Sequence, residues 1–232
     1  MSYKRLNSYK GHLGPAQVSE GMNLARKNAI RLLEDAKILY ENNRYPSATA
    51  LAILSIEESG KTSILRQLSL VKPDEELKNT WKEYRSHTKK NVLWTLLDMV
   101  NKGAQQLDDF KPMFDPASEH PYVLDNIKQI SFYTDCLGQA HWSNPSEIIN
   151  RNLASSLIFV AEALSVGYEI TTKEIELWIK HLGNADISYE SQKKAVLNWY
   201  YDMENNGLLP SDYSFTDVMK WLGFNIDDIS SE

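Results

Sequence analysis

Apolar residues recur along most of this chain at intervals of three and four, the spacing of one face of an α-helix, and no run alternates as a strand would. Between Pro15 and about Asn42, the series Val18, Met22, Leu24, Ala25, Ala29, Leu32, Leu33, Ala36, Ile38, Leu39 and Tyr40 predicts a first long helix. Pro15 suits its first turn and Asn42-Asn43 stops it. A second helix is predicted from Pro46-Ser47 to about Val71. A third opens on Asp74, Glu75 and Glu76, where the positive end of the helix dipole favours acids. It is expected to continue to about Lys102, with Gly103 just past its end and Leu77, Trp81, Tyr84, Leu93, Leu96, Leu97 and Val100 on its buried side.

Residues 103–121 carry Gly103, Pro112, Pro116 and Pro121 and read as a long irregular connection. A fourth helix is predicted from Tyr122 to about Asp135, followed by a turn from Leu137 to Asn144. Pro145-Ser146-Glu147 opens a long helix expected to reach Val166, and Thr171 to His181 is helical again before Gly183. Two shorter helices follow, one from Tyr189 to about Asn205 and one capped by Ser214 and ending near Gly223. The fold class is therefore all-α, an up-and-down helical bundle. Residues 1–14 are read as a loose N-terminal arm, 15–182 as the bundle, and 183–232 as a small C-terminal helical extension.

Composition changes this picture little and narrows the chemistry. The chain has 232 residues, 42% of them hydrophobic and 24% charged, an ordinary globular balance. A formal net charge of -6 disfavours whole-molecule attraction to nucleic acid, so any RNA contact needs a local basic patch. With one cysteine, Cys136, neither an internal disulfide nor a Cys-based zinc site is available. The N-terminus has no apolar signal segment, and the longest apolar-rich run, Ala48 to Ile56, is about half of a membrane span. A cytoplasmic protein without membrane contact is expected. No G-x-x-x-x-G-K-[ST] loop and no Glu-x-x-His pair occurs, so neither a nucleotide loop, a di-iron centre, another metal nor a cofactor is expected.

The second helix holds the most informative segment. On a helix of about 3.6 residues per turn, Ala50, Leu54, Glu58, Lys61, Leu65 and Leu68 form one stripe, and Ile53, Glu57, Gly60 and Ile64 the next. Glu57, Glu58 and Lys61 thus interrupt the apolar face. Buried charges persist only when paired or opened to a cleft. Glu57 and Glu58 stand four and three residues before Lys61, spacings that allow ion pairs. Gly60 costs about 1 kcal/mol against Ala in a helix and lets another backbone or a ligand approach closely. Two readings follow, a structural ion pair joining helices or a functional pocket.

The densest basic stretch, around WKEYRSHTKKN (81–91), places Tyr84, His87 and Asn91 on one face with Arg85, Lys89 and Lys90 beside them and Lys78 and Lys82 nearby. A histidine exchanges protons near neutral pH, and cations steady a phosphate oxyanion. The alternative is a solvated charged face. A third cluster, SFYTDCLGQAHWSNPSE (131–147), sets Tyr133, Asp135, His141 and Trp142 around a turn, as a site or as aromatic packing.

In combination and order, AILSIEESGK (52–61), RSHTKK (85–90), FYTD and the W-x-x-P from Trp142 to Pro145 resemble the AbiV type of abortive-infection protein, in the HEPN superfamily of helical bundles. The similarity spans roughly residues 16–182. It implies a bacterial phage-defence protein that arrests host translation, works as a homodimer, answers to a phage-encoded activator protein, and has RNA or the ribosome as its target. HEPN domains of this kind often act as metal-independent ribonucleases, usually with Arg, four to six residues, then His near the start of a late helix. Here the only literal match is Arg5 to His12, in the N-terminal arm. Catalysis would then fall to a substitute set, Glu57, Glu58, Lys61, Arg85, His87 and Lys90, with Lys78, Lys82, Lys89, Tyr133 and Asp135 binding substrate. The competing class is a non-catalytic interaction module that captures a phage protein or the translation machinery.

Overall fold

The computed structural model describes residues 8–91, 99–100, 102–106, 108–109, 119–211 and 214–223. Two long helices, α1 (Pro15–Glu41) and α2 (Tyr45–Leu70), form its frame. The turn between them puts Asn43 at φ 59°, a left-handed conformation that asparagine tolerates better than most residues. The helices then run back antiparallel, so that Ser55 lies opposite Ala29 and Leu65 opposite Gly21. Small residues let them close up: Ala29, Ala36, Ala48 and Ala52 are all fully buried. The buried Ser55 hydroxyl donates to the Ala29 carbonyl at 2.7 Å.

Around α2 stand α3 (Asp74–Arg85), the one-turn α4 (His87–Lys90), α5 (His120–Phe132), α7 (Arg151–Ser165) and α8 (Thr172–Leu182). Leu33 and Ala36 of α1, Ile53 and Ile56 of α2, Leu124 of α5 and Leu157 and Ala161 of α7 make one apolar core. Val18, Met22, Leu65, Leu68, Leu77, Trp81 and Ile175 make a second, where α1, α2, α3 and α8 meet. Beyond residue 182, α9 (Tyr189–Asn205) shares a third core with α8 through Leu177, Ala195, Trp199 and Met203, and α10 (Phe215–Trp221) packs on α9. The predicted extension is thus continuous with the bundle. No helix among the described residues is long and apolar enough to cross a membrane.

Several predicted boundaries shift, each for a local reason. The third helix stops at Arg85 because Ser86 is extended (φ −78°, ψ 132°), and its side chain then caps α4. Its expected buried residues Leu93, Leu96 and Leu97 lie outside the described residues, and Val100 is exposed rather than buried. The helix predicted from Pro145 to Val166 is two, α6 (Pro145–Ile148) and α7, because Asn150 is extended and its side chain accepts from the Leu153 N–H at 3.0 Å. The fourth helix ends at Phe132, and the following turn is a two-stranded hairpin, β1 (Cys136–Leu137) with β2 (His141–Trp142), where no strand was expected. The described end of the N-terminal arm lies against α3, with Trp81 Nε1 donating to the Gly11 carbonyl at 3.0 Å. Arg5, Pro112, Pro116 and residues 224–232 lie outside the described residues.

A partly buried ion pair ties α8 to α2. Arg66 binds Glu174, a fully buried carboxylate, and its guanidinium lies 5.3 and 4.9 Å from the ring centroids of Trp178 and Trp199. Burial pushes the Glu174 carboxyl above its ordinary range, with Arg66 pulling it part of the way back.

Two predictions follow from this packing. A Cβ on Gly60 would collide with the Lys90 backbone carbonyl, whereas one on Gly21 would make ordinary contact, 3.5 Å from Leu65 Cδ1. Gly60→Ala is therefore expected to lose about 1–3 kcal/mol through overpacking. Gly21→Ala is expected to be neutral or up to about 1 kcal/mol stabilising. Urea unfolding of the two variants decides, and equal effects would contradict the packing. For Glu174, a raised folded-state pKa means that folding favours the protonated acid. That contribution is complete below the unfolded pKa and is lost as pH rises through the folded one. The stability of the natural protein relative to Glu174→Gln should fall as pH rises above the ordinary carboxylate range, and a rise there would reverse the assignment.

Candidate active site

Glu57 lies in mid-α2 on the stripe shared with Ile53, Gly60 and Ile64, all buried. Its side chain is 3% exposed, yet three basic groups converge on it. His87 Nδ1 is 2.7 Å from Oε2, Lys128 donates to Oε1 at 2.5 Å, and the Lys90 ammonium stands 3.7 Å from Oε2. The Lys128 ammonium is also 2.8 Å from Asp125 Oδ1, one turn earlier on α5. Three segments distant in sequence, α2, α4 and α5, thus close around one carboxylate.

Two local features make this possible. Gly60, one turn beyond Glu57, offers no side chain, and the Lys90 backbone sits against it. Ser86 breaks α3, and the new helix that starts at His87 turns both His87 and Lys90 towards Glu57. A straight continuation of α3 would carry the backbone in a different direction.

Burial depresses the Lys90 ammonium below its usual range, and the Coulombic pull of Glu57 opposes this in part. His87 differs from both lysines. Its side chain is 55% exposed, so a surface imidazole is anchored by Nδ1 to a buried carboxylate. Such a carboxylate fixes ring orientation and favours the tautomer with hydrogen on Nδ1, leaving Nε2 able to take a proton. Among the described residues, Nε2 has no hydrogen-bond partner.

Beside this cluster Lys61 donates to Glu58 at 2.5 Å, and its ammonium lies 5.4 Å from the Tyr84 ring centroid. The sequence offered Lys61 two partners, and the structure gives it the nearer, Glu58, while Glu57 turns inward. Both side chains of the pair are about one-fifth exposed.

The remaining expected residues fall elsewhere. Arg85 binds the carbonyls of Trp81 and Tyr9 and lies 5.1 Å from the Trp81 ring centroid, so it braces the N-terminal segment against α3. Lys78, Lys82 and Lys89 are exposed on α3 and α4. Tyr133 and Asp135 line a separate cavity of about 580 Å³ with Gln129, Ile130 and Leu137, at the end of α5. Asp135 Oδ1 accepts from the Cys136 N–H at 2.7 Å, and its backbone is bound to Ser143 across the hairpin. Trp142 is 76% exposed, against the expectation of aromatic packing in this turn.

Sequence reasoning missed Lys128 and Asp125. A signal was present: Leu124, Lys128 and Ser131 recur at helical spacing and are all buried, so a lysine interrupts the inward face of α5 as Glu57 interrupts that of α2.

A family model described as AbiV, of the HEPN type, matches residues 17–165, a span that runs from the first turn of α1 to the end of α7 and contains the whole Glu57 cluster. No curated protein and no solved structure matches the chain. With well over half of its length matched, the chain belongs to the AbiV family of HEPN proteins.

Proposed function

We propose that this abortive-infection HEPN-domain protein acts as a metal-independent ribonuclease that arrests host translation, with His87 as its proton-transfer group. The observation that carries this reading is the 2.7 Å contact between exposed His87 and buried Glu57. His87 Nε2 takes the proton of a ribose 2′-hydroxyl. The freed oxygen attacks the adjacent phosphorus, the bond to the 5′ oxygen breaks, and a 2′,3′-cyclic phosphate forms. The leaving 5′ oxygen takes a proton from the imidazolium or from Lys61. Lys61, and Lys89 from the same helical turn as His87, supply positive charge to the phosphate in transit, while Glu57 is a positioning residue. Lys90 and Lys128 neutralise Glu57 from below, which leaves Arg85 to its role in packing.

A second reading has its own observation. Lys90 and Lys128 are buried together with Glu57, an arrangement that by itself holds three helices together. On that reading the protein is a non-catalytic module that captures a phage protein or the translation machinery. A phage-encoded activator and an RNA or ribosomal target belong to the proposal in either form.

His87→Ala removes an exposed side chain and separates the two. Purified protein incubated with total RNA, with and without chelator, should cleave it, and the variant should be slower by about 10²–10⁴-fold with its fold unchanged. Full growth arrest by His87→Ala would move the function to the module. Lys128→Met is expected to destabilise the fold by about 3–5 kcal/mol in urea unfolding, because it leaves a buried carboxylate short of a partner. The proposal includes a homodimer. Phe132, Tyr133, Leu137, Trp142 and Ile148 expose apolar side chains on consecutive elements and suit such a contact. Sedimentation should give a dimer that Trp142→Ser weakens at least tenfold, and a monomer at all concentrations would remove this part.

A further inference from the structure

On another side of α2 lies a cavity of about 260 Å³ that the ribonuclease reading does not use. Arg26 of α1, Ser59, Thr62, Ser63 and Arg66 of α2, and Val166, Gly167, Tyr168 and Ile170 between α7 and α8 line it. Among its described lining residues none is acidic. Three polar atoms of its lining residues, Arg26 Nε, Arg66 Nε and Ser59 Oγ, are shielded from solvent and have no hydrogen-bond partner among the described residues. Each carries a hydrogen. Buried donors of this kind are normally satisfied, and those left over in a native fold call for a partner.

The walls are held in place by contacts that spare those donors. Arg26 Nη1 donates to the Gly167 carbonyl at 2.9 Å, which leaves Nε over. Arg66 spends Nη2 on Glu174, its guanidinium is flanked by Trp178 and Trp199, and its Nε is also left over. Asn23 fixes the far end of the segment with two bonds, from its Nδ2 to the Ile170 carbonyl at 2.8 Å and from the Ile170 N–H to its Oδ1 at 2.9 Å. Gly167, at φ 154°, adopts a conformation L side chains rarely take. Arg26, Arg66 and the segment between Gly167 and Ile170 are thus held in place before any ligand arrives.

We infer that this cavity is a binding site for a phosphate group, held by Arg26, Arg66 and Ser59. Two guanidinium groups, one from α1 and one from α2, together with the Ser59 hydroxyl match an anion with oxygens in several directions. The cavity lies just below the range of about 300–1,000 Å³ typical of clefts for drug-sized ligands, which points to free phosphate or the phosphate end of a small monoester. This inference stands apart from the His87 reading and survives its failure.

The test is calorimetric titration of the full chain with inorganic phosphate, adenosine 5′-monophosphate and acetate at matched ionic strength. Saturable phosphate binding is expected, weakened about tenfold or more in Arg26→Gln and in Ser59→Ala, since each loses a donor to a charged group. Tighter binding of the monophosphate would identify a phosphorylated small molecule as the ligand, and equal or weaker binding would identify the free anion. Binding that persists unchanged in both variants, acetate binding as tight as phosphate, or no saturable binding at all would overturn the inference. The variants' unfolding curves without phosphate check that they fold, and Arg66 is left intact because of its bond to Glu174.

Discussion

The architecture around α2 depends on neutralising one carboxylate. Glu57 is almost wholly removed from water, a position whose cost unpaired would rival the stability of a whole domain. The chain meets that cost with groups from two other segments, Lys90 of α4 and Lys128 of α5, and closes the opening with His87. A hydrophobic side chain at position 57 would tolerate many arrangements of its neighbours. A carboxylate tolerates only those that deliver positive charge to its two oxygens. The cluster therefore acts as a registry device for the helices as well as a candidate site.

The arrangement requires backbone shape as well as charge. Lys90 and His87 come from a single helical turn, and that turn reaches α2 only where Gly60 removes a side chain. Ser86 supplies the change of direction and caps the turn it creates. Glu57, Gly60, Ser86 and His87 thus form one unit, in which a charge, a gap, a break and a titratable group are each useless without the others.

Much of this was legible in the sequence, and the rest was hidden for definite reasons. The inward placement of Glu57 and the close approach at Gly60 followed from periodicity alone, since a stripe of helical positions has only one face. The all-α class followed likewise. The break at Ser86 was not legible, because the residues from Trp81 to Asn91 suit a continuous helix and tertiary contact at Gly60 outweighs that local preference. Asn150 splits α6 from α7 through a cap that the sequence also carries inside helices without effect. Arg85, two residues from His87, was grouped with it by proximity along the chain, but the break at Ser86 sends the two side chains to different partners. Lys128 was overlooked because a single lysine within a helix is usually a solvated one, and only the knowledge that Glu57 needs a counter-charge singles it out.

Seen from α2, the polar side chains divide into two groups. Residues two apart on a helix point about 200° away from each other, so Glu57 and Ser59 face different neighbours although they are close in sequence. Glu57 and Gly60 look towards α4 and α5, whereas Ser59, Thr62, Ser63 and Arg66 look towards α1 and the segment before α8. In the first group every buried charge has a partner within the protein. In the second, fixed donors of positive and hydroxyl character are left over. That contrast separates polar groups kept for the fold from polar groups available to a ligand. It also explains why one helix carries so many interruptions of its apolar pattern: α2 is covered on nearly all sides, so each polar residue it contains needs a purpose that its neighbours, or something yet to bind, must supply.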